Sequence, residues 1–197
     1  MNLLVVYAHP VPTSFNAAIF ETVKQSLTKA GHTLRVVDLY EENFQPILTR
    51  EEREAYLDNT ELLTERVREH VDNLHWAEGL VFVFPTWYYG PPAILIGWLE
   101  RVWLPGVTFE VATKKGSKTT SKISHIKRLV VVTTSGSPAW WLALIGNPGK
   151  RLFLRGLRVL FNRRCKSTWL QLHEMNVVCQ EEREKFLRKV ELKMAKI

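Results

Sequence analysis

Leu80-Val81-Phe82-Val83-Phe84-Pro85-Thr86-Trp87-Tyr88-Tyr89-Gly90-Pro91-Pro92 is the stretch that decides the fold. Its five consecutive apolar residues end at a proline. The run is too short for a helix and lacks the polar alternation of a strand with one wet face. It predicts a strand buried on both sides, as in parallel sheets covered by helices on each face. Three aromatics follow before Gly-Pro-Pro, and Pro92 suits the first turn of a helix reaching about Val102.

The same alternation extends outward in both directions. Toward the N-terminus, Leu3 to Tyr7 is a short apolar run that stops at His9-Pro10. Ser14 can cap a helix to about Lys29, which Gly31 ends, and Thr33 to Leu39 is a second strand. Thr49-Arg50-Glu51-Glu52 opens a helix with a cap and early acids, and Thr60 to Trp76 supplies another. Toward the C-terminus, Leu129 to Thr134 is a fourth strand. A basic helical stretch from about Gly149 to Asn162 and a fifth strand near Ser167 to Leu172 come next. Gln180 to Lys196 reads as an amphipathic helix with Phe186, Leu187, Val190 and Met194 on its apolar side. The Lys-, Ser- and Thr-rich region from Gly116 to Ser124 reads as a surface excursion.

Strands alternating with helices pair in parallel through right-handed crossovers. The expectation is one α/β domain over residues 1–197, with a five-stranded sheet in the order 2-1-3-4-5 and helices on both faces. Ligands of such sheets sit beyond the carboxyl ends of the strands, where the strand order reverses. That rule selects three loops: His9 to Asn16, Pro85 to Gly90, and Thr133 to Gly136.

Composition sets the outer bounds. A chain of 197 residues with a formal charge of +7 can bury an ample core without disulfides. Cys165 and Cys179 read as unpaired thiols of a cytoplasmic protein. Met1 to Tyr7 lacks the basic lead and cleavage site of a signal peptide, and no apolar stretch is long enough to span a membrane. Much of the positive charge sits at Lys114, Lys115, Lys118, Lys122, Lys127 and Arg128, and again from Lys150 to Lys166. Solvated faces, a phosphate-bearing cofactor and nucleic acid are its three readings. No recognition helix, zinc finger or RNA platform supports the last. The histidines His32, His70, His75, His125 and His173 are scattered without metal-ligand spacing, so no metal site is expected.

The first loop contains no glycine and is neither a P-loop nor a Gly-rich dinucleotide turn. It still runs from a strand into a helix N-terminus, where free N–H groups favour a phosphate. Ser14, Asn16 and His9 add side-chain donors; the alternative is an ordinary capped helix with His9 held by local backbone. In the second loop, Trp87, Tyr88 and Tyr89 can wall in a planar ring, or form a hydrophobic contact between subunits or a buried corner. The third loop, Thr133-Thr134-Ser135-Gly136, offers amides and hydroxyls to a ring edge, with Gly136 free to take unusual backbone angles.

In order and spacing these loops resemble the NAD(P)H:quinone dehydrogenase branch of flavodoxin-like proteins. The matching stretches are Ala8-His9-Pro10 with Ser14-Phe15-Asn16, Asp38-Leu39-Tyr40, and Phe84 to Leu95 with Gly97 to Val102. Leu104 to Phe109 and Thr133 to Gly136 match as well. The resemblance implies that His9, Ser14, Phe15 and Asn16 bind the phosphate end of a flavin. It also implies that Pro85, Thr86, Trp87, Tyr88, Tyr89, Thr133, Thr134, Ser135 and Gly136 hold the ring. The implied cofactor is FMN or FAD, with FMN slightly favoured on compactness. The implied reaction passes hydride from NAD(P)H through flavin N5 to a quinone-like small molecule, in a homodimer with neither nucleic acid nor membrane insertion. Some relatives instead bind flavin while regulating a potassium efflux channel, which is the second expectation. One departure stands out. Where these quinone reductases often carry a Tyr and a His after the fourth strand, Ala139 to Gly149 has neither, offering Trp140, Trp141 and Asn147.

Overall fold

The computed structural model describes residues 1–112 and 114–197. At its centre, β1 (Asn2–Tyr7) and β3 (Gly79–Pro85) lie side by side in parallel, with Val5 opposite Val81. All seven residues of β3 are buried, as its unbroken apolar run requires. β2 (Thr33–Asp38) flanks β1 on one side. β6 (Arg128–Thr134) and then β7 (Lys166–Leu172) extend the sheet beyond β3, every pairing parallel.

The order is β2-β1-β3-β6-β7. Two strands absent from the sequence-based count, β4 (Phe109–Glu110) and β5 (Thr120–Ser121), intervene in the chain and pair antiparallel as a separate ribbon. The expected order 2-1-3-4-5 therefore carries different strand numbers. At two residues each, these strands are too short to leave a periodic signal.

Alternate side chains of the sheet feed two cores. On one face Leu4, Val6, Leu80, Phe82, Phe84, Leu129 and Val131 meet α5 (Ala93–Val102), which contributes Leu95, Trp98 and Val102. Also on that face is the helical hairpin α3 (Thr60–Arg66) and α4 (Arg68–Trp76). On the other face Leu3, Val5, Tyr7, Val81, Val83, Val130 and Val132 meet α1 (Phe15–Lys29) and α8 (Gln180–Met194). The helix expected over Thr60 to Trp76 breaks at Val67, where φ −127° and ψ 23° leave the helical region. The basic stretch after Pro148 also departs from a regular helix. A short α7 (Pro148–Arg151) passes into a π turn at Leu152–Gly156 and a 3₁₀ turn at Leu157–Leu160.

The segment after β2 is fastened to α5. Arg101, buried in α5, donates to the backbone carbonyl of Gln45 and to the buried carboxylate of Glu52, in α2 (Arg50–Ala55). Thr49 and Glu52 complete a capping box on α2. Burial opposes ionisation of Glu52. The Thr49 amide and the Arg101 guanidinium outweigh it and hold the carboxyl below its usual range. Pro46 then passes so close to α5 that a Cβ on Gly97 would lie 2.3 Å from its ring and its carbonyl. Both cysteines are free, Cys165 buried and Cys179 exposed. Among the described residues no helix is long and apolar enough to cross a membrane.

Candidate functional site

The three predicted loops meet at the carboxyl edge of the sheet, over β1, β3 and β6. Ser14 takes an extended conformation and its hydroxyl accepts from the Ala17 amide at 3.1 Å, capping α1. The amides of Phe15 and Asn16, in the first turn, have no partner inside the helix. The Val11 amide donates to Nδ1 of His9 at 3.0 Å. That bond makes Nδ1 an acceptor and leaves Nε2 to carry the proton as a donor. Burial holds the His9 imidazole below its ordinary pKa, so the neutral form prevails near pH 7. The local hold on His9 that the sequence left open is thus present, and it orients the ring.

Asn16 is buried, and its side-chain amide donates to the Thr134 hydroxyl at 3.0 Å. Its side-chain carbonyl oxygen is buried with no partner among the described residues. An unpaired buried acceptor costs stability, so this atom marks a place where a donor is wanted.

The second loop is a tight turn in which Trp87 and Gly90 exchange amide bonds at 2.9 and 3.0 Å. Tyr88 and Tyr89 sit at its tip with φ of 49° and 67°, a left-handed conformation that non-glycine residues adopt at a cost. Tyr88 is wholly exposed and Trp87 is 44% exposed. His9 and Trp87 face each other with ring centroids 5.9 Å apart, joining the first two loops. The unusual angles expected at Gly136 occur instead in these tyrosines. Gly136 has no left-handed φ, and a Cβ there would come 3.1 Å from the Asn176 side chain.

Thr86, Tyr88 and Tyr89 form one wall of a 400 Å³ cleft. Ser135, Gly136 and Ser137 form another, and Leu142 and Asn176 close it. Not every predicted residue faces this space. Pro85 is the buried end of β3, and Thr133 is fully buried with its hydroxyl 3.0 Å from that of Thr86. Both shape the cleft floor from behind. The Phe15 ring turns toward α8 and lies 6.4 Å from Phe186, leaving its amide to face the loop.

The sequence reading missed Ser137, Leu142 and Asn176. Asn176 follows β7, whose carboxyl end also reaches this edge. Applying the strand-end rule to the fifth main strand would have found it. A second, 890 Å³ apolar groove runs along the outer side of the same turn, between Pro46-Ile47-Leu48 and Trp87, Pro91, Ala93 and Ile96.

The segment after β6 resolves the question posed by Trp140 and Trp141. Leu142 is the buried anchor of α6 (Ala139–Leu144), whereas Trp140 is 67% exposed. Trp141 donates its indole N–H to the Tyr89 hydroxyl at 3.2 Å, and the Gly149 amide donates to the Tyr89 carbonyl at 3.1 Å. The aromatic turn is therefore pinned from the β6 side. Asn147 is a capping residue: its side chain accepts from the Lys150 amide at 3.2 Å. An imidazole does stand behind the cleft. Nδ1 of His173, at the end of β7, lies 3.2 Å from the Ser135 hydroxyl, and burial lowers its pKa.

A parallel sheet whose order reverses between β1 and β3, with loops converging at that point, defines a doubly wound α/β protein. The chain belongs to the Flavodoxin_2 family, described as having a flavodoxin-like fold, whose model matches residues 1–196. It is 31% identical to Smu.1420 of Streptococcus mutans UA159, at a TM-score of 0.85 with all of both chains covered. It is 28% identical to an NAD(P)H:quinone oxidoreductase from Methanothermobacter marburgensis, at a TM-score of 0.83 over 99% of this chain and 98% of that one. The ribosyldihydronicotinamide dehydrogenase [quinone] of Rattus norvegicus is 34% identical over 125 residues, 56% of this chain and 54% of the relative. The chain spans about half the length of the curated relatives it matches best.

Proposed function

We propose that residues 1–197 act as one flavin-binding oxidoreductase unit that uses NAD(P)H to reduce a quinone or a similar electrophilic aromatic in the cytoplasm. The observation that carries this reading is the aromatic turn Trp87-Tyr88-Tyr89, held in a left-handed conformation opposite the polar Ser135–Ser137 edge. The homologous quinone oxidoreductase from Methanothermobacter marburgensis supports the same reading.

The residues present suit a flavin. A ring against the aromatic turn would meet flat apolar surface on one side. On the other it would meet the amides of Gly136 and Ser137 and the hydroxyl of Thr86. The phosphate end suits the first loop, where Nε2 of His9, the Ser14 side chain and the first amides of α1 gather, and where Asn16 keeps an unpartnered oxygen. Bound there, the flavin supplies the redox chemistry, accepting hydride at N5 from the nicotinamide and returning it to the acceptor.

The chain's own residues position and polarise. Tyr89, fixed by Trp141 and Gly149, sets the height of the wall. Ser135, bonded to His173, offers the cleft a hydroxyl with an imidazole behind it, from β7 rather than from after β6. We assign FMN ahead of FAD on compactness alone. We also assign a homodimer, for which the apolar groove beside Ile47 and Tyr88 is the candidate contact face. The test is the absorption spectrum of purified protein, followed by release and chromatography of the flavin and anaerobic reduction by NADH and NADPH. Yellow protein bleached by a reduced nicotinamide is the expected result. Protein that stays colourless after incubation with FMN and FAD sinks the reading.

A further inference from the structure

From Val111 to His173 the chain contains no acidic residue and thirteen lysines and arginines. Part of this excess gathers in one place. Lys150, Arg151 and Arg155 line a 320 Å³ cavity with Gly146, Asn147 and Leu154. None of the three cations makes an ion pair with any described residue, whereas Lys122 and Lys127 of the same acid-free span do.

Two features hold these charges in place. Gly146 has φ +81°, and a Cβ on it would lie 2.9 Å from the Arg151 guanidinium carbon, so the guanidinium lies flat against its backbone. Arg155 sits in the π turn, a distortion that often accompanies functional sites. Three like charges kept together without a counterion repel one another, and a bound anion removes that penalty.

The cavity adjoins the cleft. Leu142 lines the cleft, Gly146 and Asn147 line the cavity, and the Asn147 amide donates to the Leu142 carbonyl at 2.7 Å. The Gly149 amide ties the cavity's edge to the Tyr89 carbonyl. A ligand whose planar ring lies against the aromatic turn needs to cross about one helix width, roughly 10 Å, to reach the cations.

We propose that this cavity receives phosphate of the dinucleotide hydride donor, so that the site selects phosphate-bearing nicotinamides over nicotinamide ribosides. The proposal rests on the oxidoreductase reading above. It is tested by calorimetry on the protein as purified, titrated at low salt with NADP⁺, nicotinamide riboside and inorganic pyrophosphate. The expected result is that NADP⁺ binds at least about tenfold more tightly than the riboside, as one or more charge-assisted bonds would give. The triple variant Lys150→Gln, Arg151→Gln, Arg155→Gln is expected to lose about tenfold or more in NADP⁺ affinity and none in riboside affinity.

All three side chains are exposed, so the fold tolerates their loss; Arg155→Gln alone carries the test should the triple variant aggregate. Equal binding of NADP⁺ by wild type and variant overturns the proposal. So does pyrophosphate binding as tight as that of NADP⁺, which would mark a general anion pocket. A flavin-containing protein whose variant binds NADP⁺ normally defeats this proposal alone. Colourless protein with charge-dependent NADP⁺ binding defeats the oxidoreductase reading instead.

Discussion

The side-chain amide of Asn16 reaches the Thr134 hydroxyl at 3.0 Å, joining the start of α1 to the end of β6 across 118 positions of sequence. The bond is buried and spans the point where the strand order reverses. Thr134→Val keeps the shape and removes the acceptor, leaving the Asn16 amide unpaired as well as its carbonyl. The expected cost is about 1–3 kcal/mol in urea unfolding, together with weaker flavin uptake. Unchanged stability and uptake would show that the bond does not organise the site.

Tyr88 offers a test in which stability and binding move in opposite directions. Its φ of 49° is costly for a tyrosine and free for glycine, and its fully exposed ring gives the folded state little. Tyr88→Gly should raise stability by up to about 1 kcal/mol in urea unfolding. The same change should weaken flavin binding in a fluorescence titration. Loss of stability would mean that the ring is packed in solution.

The Arg101–Glu52 pair is buried on both sides. Removing only the cation, as in Arg101→Met, strands a buried carboxylate and should cost about 3–5 kcal/mol in denaturant unfolding, with Glu52→Gln costing less. Because the Glu52 pKa is depressed on folding, its contribution is complete above the unfolded value. It is lost as pH falls through the folded one.

Five histidines, His9, His32, His70, His125 and His173, are all held below their ordinary pKa, with burial the leading cause. The unfolded chain therefore binds protons first as acid is added. Stability should be full above about pH 6.5 and decline as pH drops toward the folded values. His70, whose Nδ1 accepts from the buried Trp98 indole at 3.3 Å, should contribute strongly. Urea midpoints between pH 7 and pH 5 should fall less steeply in His70→Gln. Identical slopes would remove His70 from the account.

The sheet was legible because β1, β3 and β6 are buried on both faces and write that burial as unbroken apolar runs. The strand-end rule then found the loops without any motif. Local backbone detail was not legible. The left-handed tyrosines look like ordinary aromatics in sequence, because tertiary bonds from Trp141 and Gly149 hold a turn that local preference disfavours. The break at Val67 lies in a helix-period stretch with no glycine or proline to announce it. Asn176 and His173 reach the site area from the far edge of the sheet, a proximity that only the pairing of β6 with β7 creates.

The tryptophans divide into two optical populations. Trp98 and Trp103 are buried in the core behind β3, whereas Trp87 and Trp140 stand in solvent around the aromatic turn. Emission from the first pair should be blue and indifferent to ligands, and that from the second red and open to quenching. Occupancy of the cleft can thus be followed at the red edge of the spectrum while the blue edge reports folding, with no label added to the chain.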